Sequence, residues 1–353
     1  MKTYTTYRRK GVNVVLVTLL LIATAIGTCL AQGEPQIEQS EGQPTENPAA
    51  DKAVTNSDTY IIHLASNLNM SARAEAIEAI NSSFAEYKPA LALHGNRLYF
   101  SRALHPENTG GIRDKEDIWY SDIDKSNNKV LSAPKRLEGP LNNSGPNFVS
   151  GVSITGDTIM LGNTYDKRGR MRAGISYSIN QGGVWSPPRK IHVKNEYNLS
   201  DRGNAYVSLS AGVIISAVER ADTQGERDLY ISFWANEQAT EPINMGKVIN
   251  TGRDESSPFL SADKKVLYFA SKGHHGFGGY DIFMSRRLDD SWTNWSEPEN
   301  LGPVVNGPQD EEFFSVTHCK QWAYFSKQVG EQNSDIYKVP MADLFGGSKA
   351  IFR

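Results

Sequence analysis

Glu86, Asn147, Glu255 and Glu311 each stand five residues after an Asn that itself follows an apolar or aromatic residue. Carboxylates at equivalent points of a repeat converge if the repeats are arranged around an axis. Converging carboxylates raise one another's pKa and attract a cation or a basic partner. A pair held about 5–9.5 Å apart can hydrolyse a glycosidic bond. The competing reading is structural, each Glu accepting backbone N–H bonds. A second group is basic: Lys167, Arg168, Arg170 and Arg172 crowd "NTYDKRGRMRAG" (163–174) and suit an acidic polymer or protein. In "SKGHHGFGG" (271–279), His274 and His275 stand near Asp281, but adjacent histidines diverge in most backbones, so no metal is expected.

Other signals carry less. "DIDKSNN" (122–128) has oxygen ligands at calcium-loop spacing without the closing Glu, so it reads as a hairpin turn. Cys319 reads as a small, partly buried strand residue, with no base beside it except His318 on the opposite face. No G-x-S-x-G elbow appears. The expectation is therefore no cofactor, no metal and no catalytic residue.

The elements that position these residues recur. The landmark Asn residues are Asn81, Asn142, Asn198, Asn250 and Asn306, spaced 61, 56, 52 and 56 residues apart by subtraction. Some 15 to 17 residues after each comes a strand ("LYFS", "IMLG", "VIIS", "LYFA", "AYFS"), and 29 to 36 residues after it another ("DIWYS", "GISYS", "DLYIS", "DIFMS", "DIYKV"). A period of about 50 residues filled with short strands and turns signals propeller blades of four antiparallel strands. Strands such as Leu98-Tyr99-Phe100 are bulky on both faces, as a blade sandwiched between two others requires. The Asp that opens four of the third strands is expected to accept N–H bonds from the preceding turn. The fold class is thus all-β, a propeller of five recognisable four-stranded blades, or six if the two ends of the chain build another. The fifth unit lacks a fourth strand after "DIYKVP", and residues 58–80 are expected to close the ring. Within them "SARAEAIEAI" (71–80) has helical spacing of Ala72, Ala76, Ile77 and Ile80.

The stretch "ESSPFLSADKKVLYFASKGHHGFGGYDIFMSRR" (255–287) resembles the TolB-type, WD-like propeller repeat of Bacteroidetes envelope proteins, where such propellers often precede an OmpA-like domain. The resemblance covers about residues 80–340 and implies a binding or scaffolding role. The OmpA-like domain is absent from this sequence, so peptidoglycan binding is not implied. "SINQGGVW" (178–185) resembles a degenerate Asp-box of sialidase propellers, itself a structural turn.

Residues 1–31 read as a signal peptide: Lys2, Arg8, Arg9 and Lys10 precede an apolar run, and Ala31 offers a cleavage point. Lipidation at Cys29 is the alternative and the only expected route to a membrane. Residues 32–57, rich in Pro and acid and lacking aromatics, read as a flexible tether, leaving 58–353 as the propeller. A formal charge of -3 argues against a nucleic-acid binder. The sequence reading is therefore an exported, monomeric, non-catalytic propeller that binds an envelope protein with the channel-mouth residues and loops named above. Its alternatives are a glycoside hydrolase or sialidase-like enzyme and a receptor for a small ligand in the channel.

Overall fold

The computed structural model describes residues 54–55, 61–92, 96–124, 127, 129–166 and 170–345. The signal-peptide and Cys29 assignments, most of the tether, and Lys167 and Arg168 lie outside them.

Five blades, each an antiparallel meander, follow one another along the chain. Their innermost strands are Glu86–Ala92, Val149–Val152, Asn204–Ser208, Glu255–Leu260 and Glu311–Val316. Each pairs with a second strand, which pairs with a third: Asp117–Asp124, Met171–Gln181, Asp228–Ala235, Asp281–Arg286 and Ser334–Pro340. Short outer strands complete the blades. The protein is an all-β propeller. Its core lies between blades: Tyr268, Ile282 and Met284 of blade 4 pack on Phe314 and Phe325 of blade 5, while Leu98, Phe100 and Trp119 of blade 1 pack on Tyr324 and Ile336 of blade 5. Large side chains on both faces of every second strand are what this packing requires.

The ring closes through the N-terminal segment. Glu75–Ala76 pairs antiparallel with the third strand of blade 5, matching Ala76 to Tyr337 and Glu75 to Lys338. Residues 71–80 are therefore not a helix, despite their spacing. The free edge of blade 5 offers ladder bonds that a helix could not use, and the Ile77 N–H bonds Ile336 O at 2.9 Å. A tight turn then brings Ile77 and Ile80 together into the core between blades 5 and 1, so the residues that would line a helix are buried by another route. Upstream, Asn300 N–H donates to His63 O and Ala65 N–H to Asn300 O, so this segment also borders the outer edge of blade 4.

The repeated Asn is a clamp. Asn142, Asn250 and Asn306 each accept from and donate to the backbone of Ile118, Leu229 and Ile282 in the preceding blade. Asn81 does the same to Ile336, locking blade 5 onto the start of blade 1. Asn198 differs: its amide holds its own loop through Ser200 N–H and Arg202 O, and accepts from Glu219 N–H. At that junction blades 2 and 3 are joined instead by parallel pairing of His192 with Gln238 and Val193 with Ala239.

Three of the four third-strand Asp residues serve turns as expected, whereas Asp335 has a buried carboxylate oxygen with no hydrogen-bond partner among the described residues. Asp117 accepts Thr109 N–H, Asp228 accepts Gln224 N–H, and Asp281 accepts Phe277 and Gly278 N–H. The Asp-box-like stretch is a hairpin in which Asn180 accepts the Gly183 N–H. Cys319 sits in the hairpin turn after the innermost strand of blade 5, not in a strand, with its thiol near Thr317 and Gln321.

Candidate functional site

The chain enters each innermost strand from one face of the ring, and the loops joining second to third strands emerge on that same face. There the channel widens into a funnel of about 960 Å³. The repeat carboxylates do not line it. Glu86, Glu255 and Glu311 are 0% exposed, as is Asn147. Each accepts the backbone N–H of the residue four earlier: Ser82 for Glu86, Asn143 for Asn147, Thr251 for Glu255 and Gly307 for Glu311. The carboxylates bind other neighbours too, Arg102 on Glu86, Ser271 on Glu255 and Lys327 beside Glu311. Burial pushes Glu255 and Glu311 up to about 7 and raises Glu86 as well. These residues build turns at the blade junctions, so their expected place as a ring at the channel mouth is corrected.

The correction follows from strand alternation, which turns the next residue the other way. Tyr87, Phe148, Ser256 and Glu312, each one place later, do line the funnel, and blade 3 contributes Gly203 and Asn204. In three blades the residue after that takes left-handed backbone angles, with φ of 57° at Lys88, 50° at Ser257 and 56° at Phe313. Each lies in a bulge that breaks the pairing register with the second strand. The bulge re-aims Lys88 and Phe313 at the axis, where together with Phe148 they form a waist. Gly162 makes room for this: a Cβ there would lie 1.9 Å from the Phe148 ring.

At the waist, Lys88 Nζ donates to both Glu116 oxygens at 2.8 and 2.9 Å and lies 3.7 Å from the centre of the Phe148 ring. Burial, with Glu116 adding to it, holds the Tyr87 hydroxyl well above its ordinary pKa. On the opposite wall Arg227 makes a two-pronged pair with Asp254 at 2.8 and 2.9 Å, and the Tyr280 hydroxyl donates to the same carboxylate. Burial alone would raise Asp254, but the bonds from Arg227 and Tyr280 hold it below the usual range. Arg202, more than half exposed on the rim, reaches Asp254 at 3.4 Å. Glu312 accepts the hydroxyls of Ser256 and Ser257, and burial raises its carboxyl against the pull of Ser256 and Arg227. Asp310 accepts the Tyr280 N–H and lies 3.7 Å from Lys272, which sits over the Tyr280 ring.

Of the loop residues, Arg172 lines the funnel and is exposed, while Arg170 pairs with Asp166 at 2.7 Å and is absent from the funnel wall. His274 is only partly exposed. Its Nε2 lies 2.9 Å from Ile249 O, its ring packs on Phe269 and Phe283, and burial lowers its pKa. Neither His274 nor His275 lines the funnel. Among the described residues no cluster of three His, Cys, Asp or Glu could hold a metal ion. The wall residues missed in the sequence, Lys88, Glu116, Arg227, Tyr280 and Glu312, carry one signal: for the first-strand members, the position one or two places beyond the repeat Glu.

No protein-family model matches the chain, and no curated protein does. Solved structures match at low identity. The α-L-arabinofuranosidase PaAbf62A from Podospora anserina matches at 12% identity and TM-score 0.48, over 78% of this chain and 98% of that one. An α-L-arabinofuranosidase from Lactobacillus brevis matches at 12% identity and TM-score 0.46, over 75% and 94% of the two chains. The putative TolB from Agrobacterium tumefaciens matches at 13% identity and TM-score 0.44, over 77% and 87%. At such identities and TM-scores the likeness carries no argument about what this chain does.

Proposed function

We propose that this chain is an exported, non-catalytic propeller of the TolB-like kind. It works as a monomer in the bacterial cell envelope and binds a protein partner through its funnel. The observation that carries this reading is how the funnel carboxylates are held. On the wall Glu116 is paired with Lys88, Glu196 with Lys190, Asp310 with Lys272 and Glu312 with two serine hydroxyls. Asp254 behind the wall is held by Arg227 and Tyr280, while Asp201 and Glu331 are exposed. Acid–base hydrolysis of a glycoside needs one carboxyl to hold a proton and another to stand ionised and free to act. Carboxylates bound to fixed cations and hydroxyls instead make a stiff, mixed-charge wall suited to recognition. A funnel of about 960 Å³ rimmed by loops from several blades accommodates part of a folded partner. The basic leader and the TolB-type repeat pattern support the envelope location.

The test is affinity capture from producing cells, comparing the wild-type chain with a Lys115→Glu, Arg202→Glu variant. Both residues are exposed on the funnel rim; Arg202 lies 3.4 Å from Asp254, so circular dichroism of the variant is compared with that of the wild type. The reading expects one envelope protein to co-purify with the wild type and to be lost from the folded variant. Release of sugar from arabinofuranosides or xylosides by the purified wild type, abolished by Glu312→Gln, would instead establish a glycosidase.

A further inference from the structure

Blade 3 departs from its neighbours at one buried ion pair. In blade 1, Arg102 Nε donates to the repeat carboxylate of Glu86 at 2.6 Å, its Nη2 donates to Ile80 O, and its guanidinium lies over the Trp119 ring. In blade 5, Lys327 stands 3.1 Å from the repeat carboxylate of Glu311. Arg220 is the matching cation of blade 3. It follows the second strand two places beyond the position of Arg102, because Arg102 pairs with Asp117 and Val218 with Asp228, so both side chains leave on the same face. Its Nη1 donates to Asn195 O in the loop entering the blade, and its guanidinium lies over the Tyr197 ring at 4.1 Å and the Tyr230 ring at 5.5 Å. Tyr230 and Trp119 hold the same place, two residues after the third-strand Asp. Five residues after Asn198, where Glu86 and Glu311 stand in their own units, the chain has Gly203. Blade 3 keeps the cation and lacks its acid.

Arg220 is therefore a buried cation short of partners. Its side chain is 6% exposed, and its Nε has no hydrogen-bond partner among the described residues. The one described carboxylate within 4.0 Å is that of Asp222, at the full 4.0 Å from Nε, 63% exposed and already accepting the Tyr230 O–H on the same oxygen. The aromatic rings meet the flat face of the guanidinium and leave its N–H groups, which point outward in the plane, unspent. Nη2 donates to no described residue and, unlike Nε, is not sealed from solvent. Arg220, Tyr197, Asn198 and Gly203 all line the funnel, and Tyr197 and Gly203 are exposed, so the place of the missing acid opens towards it. A buried charge without its counter-ion is unfavourable, and an anion entering from the funnel relieves it.

We infer that the place of the missing acid is a binding site for one carboxylate, supplied by an acidic side chain of the protein partner and received by Arg220 Nη2. The inference rests on the funnel reading above and gives the partner a chemistry. The site suits a single negative charge. Asp201 and Glu196 stand in the same wall and Asp222 lies beside the guanidinium, so the second charge of a phosphate group meets repulsion.

The probe is N-acetylglutamate N-methylamide, with N-acetylglutamine N-methylamide as its uncharged match and inorganic phosphate as the more highly charged one, all at constant ionic strength. The chain carries isotope-labelled arginine, and its guanidinium Nε–H resonances are followed by NMR, Arg220 being assigned by the signal missing in Arg220→Lys. The Arg220 resonance should shift saturably with the glutamate probe, and the glutamine probe should bind roughly tenfold more weakly, the worth of one charge-assisted hydrogen bond. Gly203→Glu supplies the acid from within the chain. Its Cβ would lie 2.8 Å from the Asn198 amide nitrogen, the end of a side chain that can swing aside. This variant should shift the Arg220 resonance without probe and abolish the response; if it does not fold, the wild-type titrations decide alone. A silent Arg220, an equal response to the glutamine probe, or a folded Gly203→Glu chain that still responds like the wild type would overturn the site. Phosphate binding as tightly as the glutamate probe would overturn the ligand class. None of these readings depends on the partner. A captured partner with a silent Arg220 would sink the carboxylate site alone, and a responsive Arg220 in a chain that captures nothing would sink the protein-binding reading alone.

Discussion

Asn250 accepts the Leu229 N–H and donates to the Leu229 carbonyl, both buried, and so pins the entry of blade 4 to the third strand of blade 3. Asn250→Ala strands both backbone groups, and we expect a loss of about 2–3 kcal/mol in urea unfolding. Asn198 occupies the same place in the repeat yet bonds no strand of the preceding blade, holding its own loop and the Glu219 N–H instead, so Asn198→Ala should cost less than Asn250→Ala, about 1 kcal/mol. Equal losses would mean that the clamp geometry is not what the repeat preserves. Lys88 poses the matching question at the waist. Lys88→Met leaves Glu116, only 8% exposed, without its cation, and should destabilise the fold by about 3 kcal/mol, whereas Lys115→Met on the rim should leave unfolding unchanged.

At the scale of elements, the segment before the first repeat behaves as part of the last blade. Ile80 is 1% exposed between blades 5 and 1, so Ile80→Ala should cost about 2–4 kcal/mol, as a core position inside a blade would. A cost below about 1 kcal/mol in the same unfolding experiment would show that the closing strand is dispensable. This segment also marks where sequence reading succeeds and fails. Strands of blades 1, 4 and 5 are legible because Leu98-Tyr99-Phe100, Leu267-Tyr268-Phe269 and Ala323-Tyr324-Phe325 announce two-sided burial. The order of the units and the need for a closing strand follow from the same pattern. The conformation of 71–80 is not legible, because apolar spacing is local and the edge that captures Glu75–Ala76 lies some 260 residues downstream, at Tyr337 and Lys338. The site was misplaced by one residue for a similar reason. Repeat conservation within the chain highlights Glu86, Glu255 and Glu311 because turns need them, while the channel-facing positions beside them, Tyr87, Ser256 and Glu312, differ from blade to blade.

At the scale of the whole molecule, the buried carboxyls tie stability to pH. Burial raises Asp117 and Asp281 to about 6, and Glu255 and Glu311 to about 7. Each binds its proton more tightly in the folded chain than in the unfolded one. Its stabilising effect is therefore complete below about pH 4 and disappears as pH rises through about 6–7. Unfolding free energy should fall by several kcal/mol between pH 5 and pH 8. His274, kept neutral by burial, works in the opposite sense, adding stability as pH rises towards 6.5. Asp281→Asn separates the two effects. It keeps an acceptor for Phe277 and Gly278 N–H and removes a buried acid whose charge also helps to raise Glu311, so its pH profile should be flatter and its stability at pH 8 higher than wild type. A wild-type chain that gains stability from pH 5 to pH 8 would contradict this.

The proposed partner occupies one face of the ring, the funnel lined by residues of all five blades. The most direct test of that claim is site-specific photo-crosslinking in cells that produce the protein, with the reactive residue placed at Arg202 on the funnel rim or at Asp290 on an exposed turn at the outer edge of blade 4. The account expects one discrete protein adduct from position 202 and none from position 290. Adducts of equal yield from both positions, or none from position 202, would contradict a partner seated in the funnel.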